Sequence, residues 1–403
     1  MLMGGAYAAI CPALAEASRP ITFQEARSEA VRHGPAVVLA TRRLGVAQAQ
    51  VDVAGALTNP TVTVTTARQT ARIGASVALP VPVFGQRSRA VGAAEAEAQS
   101  ARLDVAATAV EARFAATAAW LDLWEAQERA RLLRQAAGEA ARVAGIAQER
   151  FGTGAGPEVD VVRTRADGVR AEVEAAGAEA MIIAAAARLT TTLGLAEGSG
   201  VRAAGGPGFV VSPVDMPALR DGISQAPLLR RDAADIAAAA ARLRVEQRLR
   251  WPIVSFLLTV NQGDPTLPGT DVIGGVSLDA PVLNLRGGAI ARARAEEAVA
   301  QATWEADTAR VRNEVTDAAA RAEAAGARAR ALATQVLPAL ETARQMTEEG
   351  YRDGRVDLLR LIEAQRTVLE ARLTNAEAQA SWQRAIADLE RAAGVVWGTA
   401  DAR

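Results

Sequence analysis

Four segments of the chain alternate apolar residues with polar or small ones, and this two-residue period predicts β-strands. They cover about 60–67, 72–80, 252–261 and 271–280. Strand 252–261 is the least regular, and its Val254, Phe256, Leu258 and Val260 face is predicted to look outward. One apolar face and one small or polar face are typical of a transmembrane barrel strand, and also of a half-buried hairpin in a soluble protein. Four strands are too few to close a barrel, whereas three chains would supply 12.

Long stretches of Ala, Glu, Arg and Leu between these strands predict helices over about 36–58, 86–151, 158–195, 229–250, 287–352 and 356–393. The helix at 86–151 would be about 100 Å long. Breaks at Gly152–Pro157 and at Asp353-Gly354 end the two long helices. The helices 36–58 and 158–195 together match the length of 86–151, so they can stack end to end alongside it. The pattern predicts a helical pair capped by a β-hairpin, made twice.

Six short landmarks recur in the same order at an offset of about 192 to 200 residues. Among them, Arg150-Phe151 followed by Gly154 matches Gly350-Tyr351 followed by Gly354, and Val159-Asp160 matches Val356-Asp357. Such recurrence indicates a tandem repeat. We expect a first repeat over 20–200, a second over 213–396, a Gly- and Pro-rich linker over 198–217 and a tail over 397–403.

The first 15 residues resemble the remnant of a signal peptide, because a small apolar stretch ends in Ala13-Leu14-Ala15. Export past the inner membrane follows from that interpretation. Cys11 is either a lipid-anchor site or an incidental residue of the leader. The bulky Ile10 before it argues for the second alternative.

Composition excludes several classes of function. Aromatic residues make up 3% of the chain, and the Ala-rich helices suit a thin-walled assembly better than a thick core. The formal net charge is −1, which lacks the basic excess of a nucleic-acid-binding protein. One Cys and one His exclude a disulfide framework, His-cluster metal sites and His-based triads within the chain. We expect no catalytic residues, no metal site and no cofactor.

The duplicated layout resembles the TolC-like outer-membrane efflux proteins over about Ile21 to Trp397. The residues that carry the resemblance are the hairpin flanks, the two turn motifs and the helix ends: Asn59-Pro60, Pro82 to Arg87, Trp251-Pro252, Pro281 to Gly287, Arg150 to Gly154, Tyr351 to Gly354, Leu193 to Leu195 and Ala393 to Val395. The hairpin flanks look most like the CzcC-like branch, which exports heavy-metal cations.

The resemblance implies a mixed, mainly α fold. Three chains would form a homotrimer with a 12-stranded β-barrel in outer-membrane lipid and a long α-helical barrel in the periplasm. The partners would be a periplasmic adaptor protein and an inner-membrane pump of the RND type. The implied function is a passive export duct in a tripartite efflux system.

The resemblance also implies where the duct would close. Acidic residues just past the second turn line the constriction in the family, and Asp357 matches the outer position. Arg360 stands where some members have a second Asp, and Asp160 with Arg163 is the first-repeat counterpart. Alternatively, both aspartates simply stabilise the first turn of a helix. The turn residues Gly152, Thr153, Gly154, Asp353 and Gly354 would dock the adaptor.

Two other function classes stay open at this point. A periplasmic adaptor or coiled-coil scaffold that never enters a membrane would need its hairpins buried in a soluble domain. An enzyme would need a convergent nucleophile, base or metal set, which the sequence does not offer.

Overall fold

The computed structural model describes residues 19–67, 71–196, 198–208, 219, 222–263, 269–281 and 283–395. The predicted leader with Cys11, the tail 397–403 and residues 209–217 of the predicted linker lie outside this part. Its strands are β1 (Arg19–Thr22), β2 (Thr61–Thr65), β3 (Ile73–Val81), β4 (Val201–Ala204), β5 (Ile253–Gln262) and β6 (Thr270–Asp279). Its α-helices are α1 (Phe23–His33), α2 (Pro35–Gly55), α3 (Gln86–Gly152), α4 (Glu158–Leu193), α5 (Pro227–Arg248), α6 (Gly287–Ala331), α7 (Leu337–Arg352) and α8 (Leu358–Ala393).

The order of these elements confirms the tandem repeat. A helix, a β-hairpin, a long helix and a returning helix occur as α2-β2-β3-α3-α4 and again as α5-β5-β6-α6-α7-α8. The chain forms two compact units, and each unit takes segments from both repeats. The first unit comprises Met1–Val38, Thr108–Ala226 and Val311–Arg403, and the second comprises Leu39–Ala107 and Pro227–Arg310.

The core of the first unit forms around Trp120, which is fully buried. Its indole Nε1 donates a hydrogen bond of 2.8 Å to the backbone oxygen of Ile21, and its ring packs edge-on against Phe23. Arg27 and Glu390 form an ion pair in which both side chains are 8% exposed. These contacts fasten α1 to α3 and α8 inside one unit.

A small parallel sheet in the first unit corrects the predicted linker. Val201–Ala204 lies inside the 198–217 range, yet it forms β4 and pairs in parallel with β1 from Arg19↔Val201 to Thr22↔Ala204. Local composition favoured a loop there, but the pairing depends on a strand at the other end of the first repeat. Sequence analysis also missed β1 and α1.

The second unit contains a four-stranded antiparallel sheet in the order β2-β3-β5-β6. Its register places Val62 opposite Val77, Val77 opposite Leu258, and Phe256 opposite Val276. Since directly paired residues share a face, most apolar positions of the four strands gather on one side, while Leu257 and Ile273 lie on the other. That side includes Val254 and Val260, as predicted for strand 252–261. Thr63, Ser76 and Thr259 pair on the opposite face, which is mostly polar or small.

The base of this sheet is fastened to the start of α3 by Gln86. Its amide Nε2 donates to the backbone oxygens of Trp251 and Pro252 at 3.3 and 3.1 Å. Its Oε1 accepts from the backbone N–H of Phe84 at 3.1 Å, and the rings of Phe84 and Trp251 lie 5.5 Å apart. The predicted hairpin flanks from both repeats therefore meet in one contact.

The helix predicted over 287–352 is present throughout that range, but it is not regular. A π-helical segment, Leu332–Val336, separates α6 from α7, and the backbone N–H of Leu337 donates to the oxygen of Leu332. Pro338 follows directly and has no N–H for an α-helical hydrogen bond. A wider turn before the proline accommodates this loss, and the helix regains regular geometry in α7.

Candidate functional site at the two helix turns

The turns that follow α3 and α7 have the same backbone geometry. Gly154 and Gly354 have φ values of 74° and 72°. Their N–H groups donate to the oxygens of Phe151 and Tyr351, both at 3.0 Å. The next N–H groups in the chain reach back to the oxygens of Arg150 and Gly350, both at 2.8 Å. This paired hydrogen-bond pattern is a Schellman motif, which needs a left-handed residue that glycine supplies without strain.

The helices that leave the two turns begin differently. Asp357 is the N-cap of α8, and its carboxylate accepts a hydrogen bond of 3.2 Å from the backbone N–H of Arg360. Pro157 occupies the same place before α4 and makes no side-chain cap. Asp357 thus fulfils the helix-start role that the sequence offered as the alternative to a pore role.

The predicted pairing of Asp160 with Asp357 was wrong in register. The two Schellman turns correspond at an offset of 200, so Asp357 matches Pro157 and Arg360 matches Asp160. The match of Val159-Asp160 with Val356-Asp357 suggested a different alignment of the repeats. The hydrogen-bonded turns fix where each helix starts, and they therefore decide which positions are equivalent. Equivalent positions in the two repeats therefore carry opposite charges.

The two turns contact each other inside the first unit through Arg150 and Tyr351. The Arg150 guanidinium lies 4.8 Å from the centre of the Tyr351 ring and donates to the Tyr351 backbone oxygen at 3.3 Å. Tyr351 is 3% exposed and packs with Val143, Leu358, Leu361 and Ile362. Burial raises the pKa of the Tyr351 phenol, Arg150 lowers it and the nearby Asp160 raises it, with a net rise. The phenol stays neutral at physiological pH.

Ion pairs extend the contact between the two hairpins. Arg142 of α3 pairs with Glu348 of α7 at 2.9 Å, and Glu348 also pairs with Arg344 and Arg352. Further along, Arg366 of α8 pairs with Asp167 of α4 at 3.1 Å. Exposed pairs contribute little individually, but Glu348 is the centre of three of them. Two of these pairs, Arg142–Glu348 and Arg366–Asp167, join one hairpin to the other.

The remaining predicted site residues lie at the surface of the chain. Asp357, Arg360 and Arg163 are exposed, and Asp160 is half-buried beside Tyr351. The five predicted docking residues are also exposed: Gly152, which ends α3, and the turn residues Thr153, Gly154, Asp353 and Gly354. At two adjacent turns, charged side chains and backbone groups are therefore accessible to solvent or to a partner.

Sequence analysis missed the Arg150–Tyr351 contact and the role of Glu348. Tyr351 is one of only two tyrosines in the chain, and it stands at the repeat position of Phe151. That rarity was the available signal. Spacing alone could not show which cation covers the ring.

The described residues hold no group of three or more His, Cys, Asp or Glu side chains placed to bind a metal ion. Among the same residues, no helix has the length and apolar character needed to cross a membrane.

Comparison with known proteins identifies the family. The sequence model of the family "Outer membrane efflux protein" matches residues 26–195 and again 219–395. The chain belongs to this outer membrane efflux protein family. The double match also agrees with the repeated turns and hairpins of the structure.

A curated relative of this efflux protein is the cobalt-zinc-cadmium resistance protein CzcC of Cupriavidus metallidurans. It is 25% identical over 361 residues, which cover 89% of this chain and 86% of CzcC. Among solved structures, the fold is similar to CusC, with a TM-score of 0.77, 15% identity, and coverage of 93% of this chain and 92% of CusC. It is also similar to VceC of Vibrio cholerae, with a TM-score of 0.74, 16% identity, and coverage of 93% and 96%.

These matches confirm the TolC-like fold and the predicted class of function. The efflux protein is an outer-membrane channel component with a periplasmic helical part. The family consists of transport channels rather than enzymes. The comparisons give no support to the alternative of an adaptor or scaffold outside the membrane.

Proposed function

We propose that this chain is the outer-membrane duct of a tripartite system that exports heavy-metal cations. The observation that carries the substrate class is the match to a cobalt-zinc-cadmium resistance protein along most of both chains. The exposed charges at the two helix turns fit a duct that has to pass cations. The pump and the adaptor would set much of the cargo choice.

The duct would be a homotrimer. One chain contributes a sheet of four strands in which most apolar side chains share one face. The strands β2 and β6 stand at its two edges, and unpaired edges invite further strand pairing. Three sheets joined edge to edge give 12 strands, with the apolar face toward lipid and the polar face toward water.

The partners would be a periplasmic adaptor and an inner-membrane pump of the RND type. The exposed turn residues Gly152, Thr153, Gly154, Asp353 and Gly354 would form the docking surface for the adaptor. Schellman turns hold both loops in a defined shape without long side chains. An exposed backbone that is held in one conformation and carries short side chains allows close contact with the helices of a partner.

The gate would lie just past the turns, at Asp357, Arg360, Asp160 and Arg163. Three copies of Asp357 around an axis would attract cations, as rings of carboxylates do in cation channels. Arg360 adds one positive charge per chain three residues further along α8. Its guanidinium would pair with a neighbouring carboxylate and hold the gate closed.

The substrate class is tested by complementation. We expect a strain that lacks this gene to grow less well on cobalt, zinc or cadmium salts, and the wild-type gene to restore growth. Restored tolerance to a lipophilic drug but not to any of the three metals would contradict the substrate class while leaving the duct intact.

The gate is tested by replacing Arg360 with Ser in planar-bilayer recordings. We expect a higher conductance, because the substitution removes one positive charge per chain and the proposed ion pair. The cap of α8 survives, since its donor is the backbone N–H of Arg360. Arg330→Ser on α6 is the matched control, an exposed arginine more than twenty residues before the second turn. Equal conductance in wild type and Arg360→Ser would refute the gating role.

A further inference from the structure

Helix α4 has apolar side chains on two opposite faces. One face is buried inside the first unit and includes Ala175, Ala178 and Leu189. The other face lies two residues, or about 200°, around the helix, and it is exposed in the described part of the chain. Its members follow one another at spacings of three and four residues: Val159, Val162, Ala166, Val169, Val173, Ala176, Ala180 and Ile183. That spacing is typical of a helix that packs lengthwise against another helix.

The second repeat shows what covers the equivalent face of α8. Because the two turns correspond at an offset of 200, α4 and α8 correspond at the same offset. Val162 and Val169 therefore match Ile362 and Leu369. Ile362 is buried and Leu369 is partly buried, and both pack in clusters with residues of α3 from the same chain. The same helix face is thus covered in one repeat and exposed in the other.

The residues of α3 that cover α8 have exposed counterparts on α7. Val143 belongs to the buried cluster of Ile362, and Ile146 packs against that cluster. At the offset of 200 that relates the turns, they match Ala343 and Met346 of α7. Both counterparts are exposed, and Met346 is 67% exposed. The positions with which α3 covers α8 are therefore presented by α7 at the surface of the chain.

The opposite face of α7 is occupied inside the chain. Glu341 pairs with an arginine of α8 at 3.1 Å, and Glu348 pairs with an arginine of α3 at 2.9 Å. Two residues along an α-helix rotate the side-chain direction by about 200°. Ala343 and Met346 therefore point away from these ion pairs, and their face is available to a partner.

A second copy of the chain offers each exposed face its counterpart. We propose that α7 of one chain packs against the exposed face of α4 in a neighbouring copy. This α7–α4 contact would repeat between chains the contact that α3 makes with α8 within a chain. Such a contact is head-to-tail, and three copies can close it into a ring. The inference rests on the proposed homotrimer and names the helix faces that join its chains.

The α7–α4 contact is tested by crosslinking the full chain in the outer membrane. Val162→Cys and Ala343→Cys are combined in one chain, because these positions match Ile362 and Val143 of the internal contact. A bis-maleimide should then join neighbouring copies into covalent dimers and trimers on a denaturing gel. Each single variant should stay at the mass of one chain, and these variants also control for the native Cys11.

Ile183→Cys combined with Ala343→Cys is the matched control. Ile183 belongs to the same exposed face of α4 and is 60% exposed. It lies about 20 residues, or about 30 Å, further along the helix than Val162, so we expect no covalent dimer from this pair. Equal amounts of dimer from both pairs would indicate random collision of chains and would overturn the proposal.

A charge-pair variant measures the same contact without cysteines. Val162→Asp should lower the temperature at which the detergent-extracted trimer separates into chains, because it places a carboxylate in an apolar contact. Adding Met346→Arg should restore part of that loss, since Met346 matches Ile146, which packs against the cluster of Ile362. A second substitution that restores nothing would contradict a contact between these two residues.

The outcomes separate the α7–α4 contact from the homotrimer itself. A detergent-extracted trimer whose Val162→Cys/Ala343→Cys chains keep the mass of one chain after crosslinking would overturn the contact and leave the homotrimer standing. A crosslink from Val162→Cys to a different protein, such as the adaptor, would overturn it as well. A wild-type chain that leaves the membrane as a monomer would contradict the homotrimer and the contact together.

Discussion

Single residues set the shape of the two helix turns. Gly154 adopts a left-handed φ of 74°, and a Cβ built on it would meet no atom within 4 Å. Gly152, two residues earlier, ends α3 and also has open space at its Cβ position. The two glycines differ in backbone conformation and not in crowding.

This difference gives a matched test. We expect Gly154→Ala to lower stability by about 1 kcal/mol, because an L side chain is strained in the left-handed region. Gly152→Ala should leave stability unchanged or raise it by up to about 1 kcal/mol, because alanine favours the helix. Denaturant unfolding and hydrogen exchange at the amides of the turn measure both. Equal losses in the two variants would show that the turn does not depend on the left-handed conformation.

Residue identity also separates the two repeats at their most similar point. The third residue of α4 is Asp160 and that of α8 is Arg360. Asp160 is close to the buried Tyr351, whereas Arg360 is exposed. The two hairpins thus share their turn geometry but carry opposite charges at the third position of the returning helix.

At the scale of elements, each of the four strands alternates apolar and polar residues. The register between the strands brings most of the apolar residues to the same face of the sheet. Val64 and Thr63 are neighbours on β2 and point to opposite sides of the sheet. Val64 belongs to the face that also carries Val77 and Phe256, and it is 67% exposed in the single chain. Such a face requires lipid or another apolar partner to cover it.

We therefore expect Val64→Arg to reduce the amount of folded trimer that detergent extracts from the outer membrane. An arginine on a lipid-facing position costs about 2–4 kcal/mol at mid-membrane depth and about 0–1 kcal/mol near the interfaces. Thr63→Arg places the same charge on the polar face and should be tolerated. The yield of extracted trimer, resolved by size, measures the effect. Equal yields for the two variants would contradict the lipid-facing assignment.

Helices in this protein are packed with small side chains. In the second unit, Ala93 and Ala94 of α3 and Ala238 and Ala239 of α5 are buried. Alanine permits close backbone approach but removes little apolar area. Specific ion pairs, such as Arg242 with Glu97 at 2.5 Å, therefore help to set the register between helices that lack large interlocking residues.

At the scale of the whole molecule, the repeats in sequence and the compact units in space are different divisions. Each repeat runs through both units, because the long helices α3 and α6 leave one unit and enter the other. A domain boundary drawn at the linker would therefore separate segments that pack together. Truncation to one repeat would remove half of each core.

Much of the fold could be predicted because its signals are local. The two-residue period found all four strands of the sheet, Gly154 and Gly354 marked the turns, and the recurring landmarks revealed the tandem repeat. Even the grouping of Val254, Phe256, Leu258 and Val260 on one face of strand 252–261 followed from its own alternation. The π-helical segment Leu332–Val336 was missed, as were β1 and α1, although Pro338 was a local signal for the first.

The sequence by itself determined the long helices, the four strands of the antiparallel sheet, the duplication, the family and the exposed charges at the turns, because periodicity and turn chemistry act over a few residues. Only the tertiary structure decided which distant residues meet. The pairing of β1 with β4 and the contact of Arg150 with Tyr351 across 201 positions are long-range events. No local pattern names their partners, because close packing and the need to satisfy buried polar groups select them only when the chain is folded.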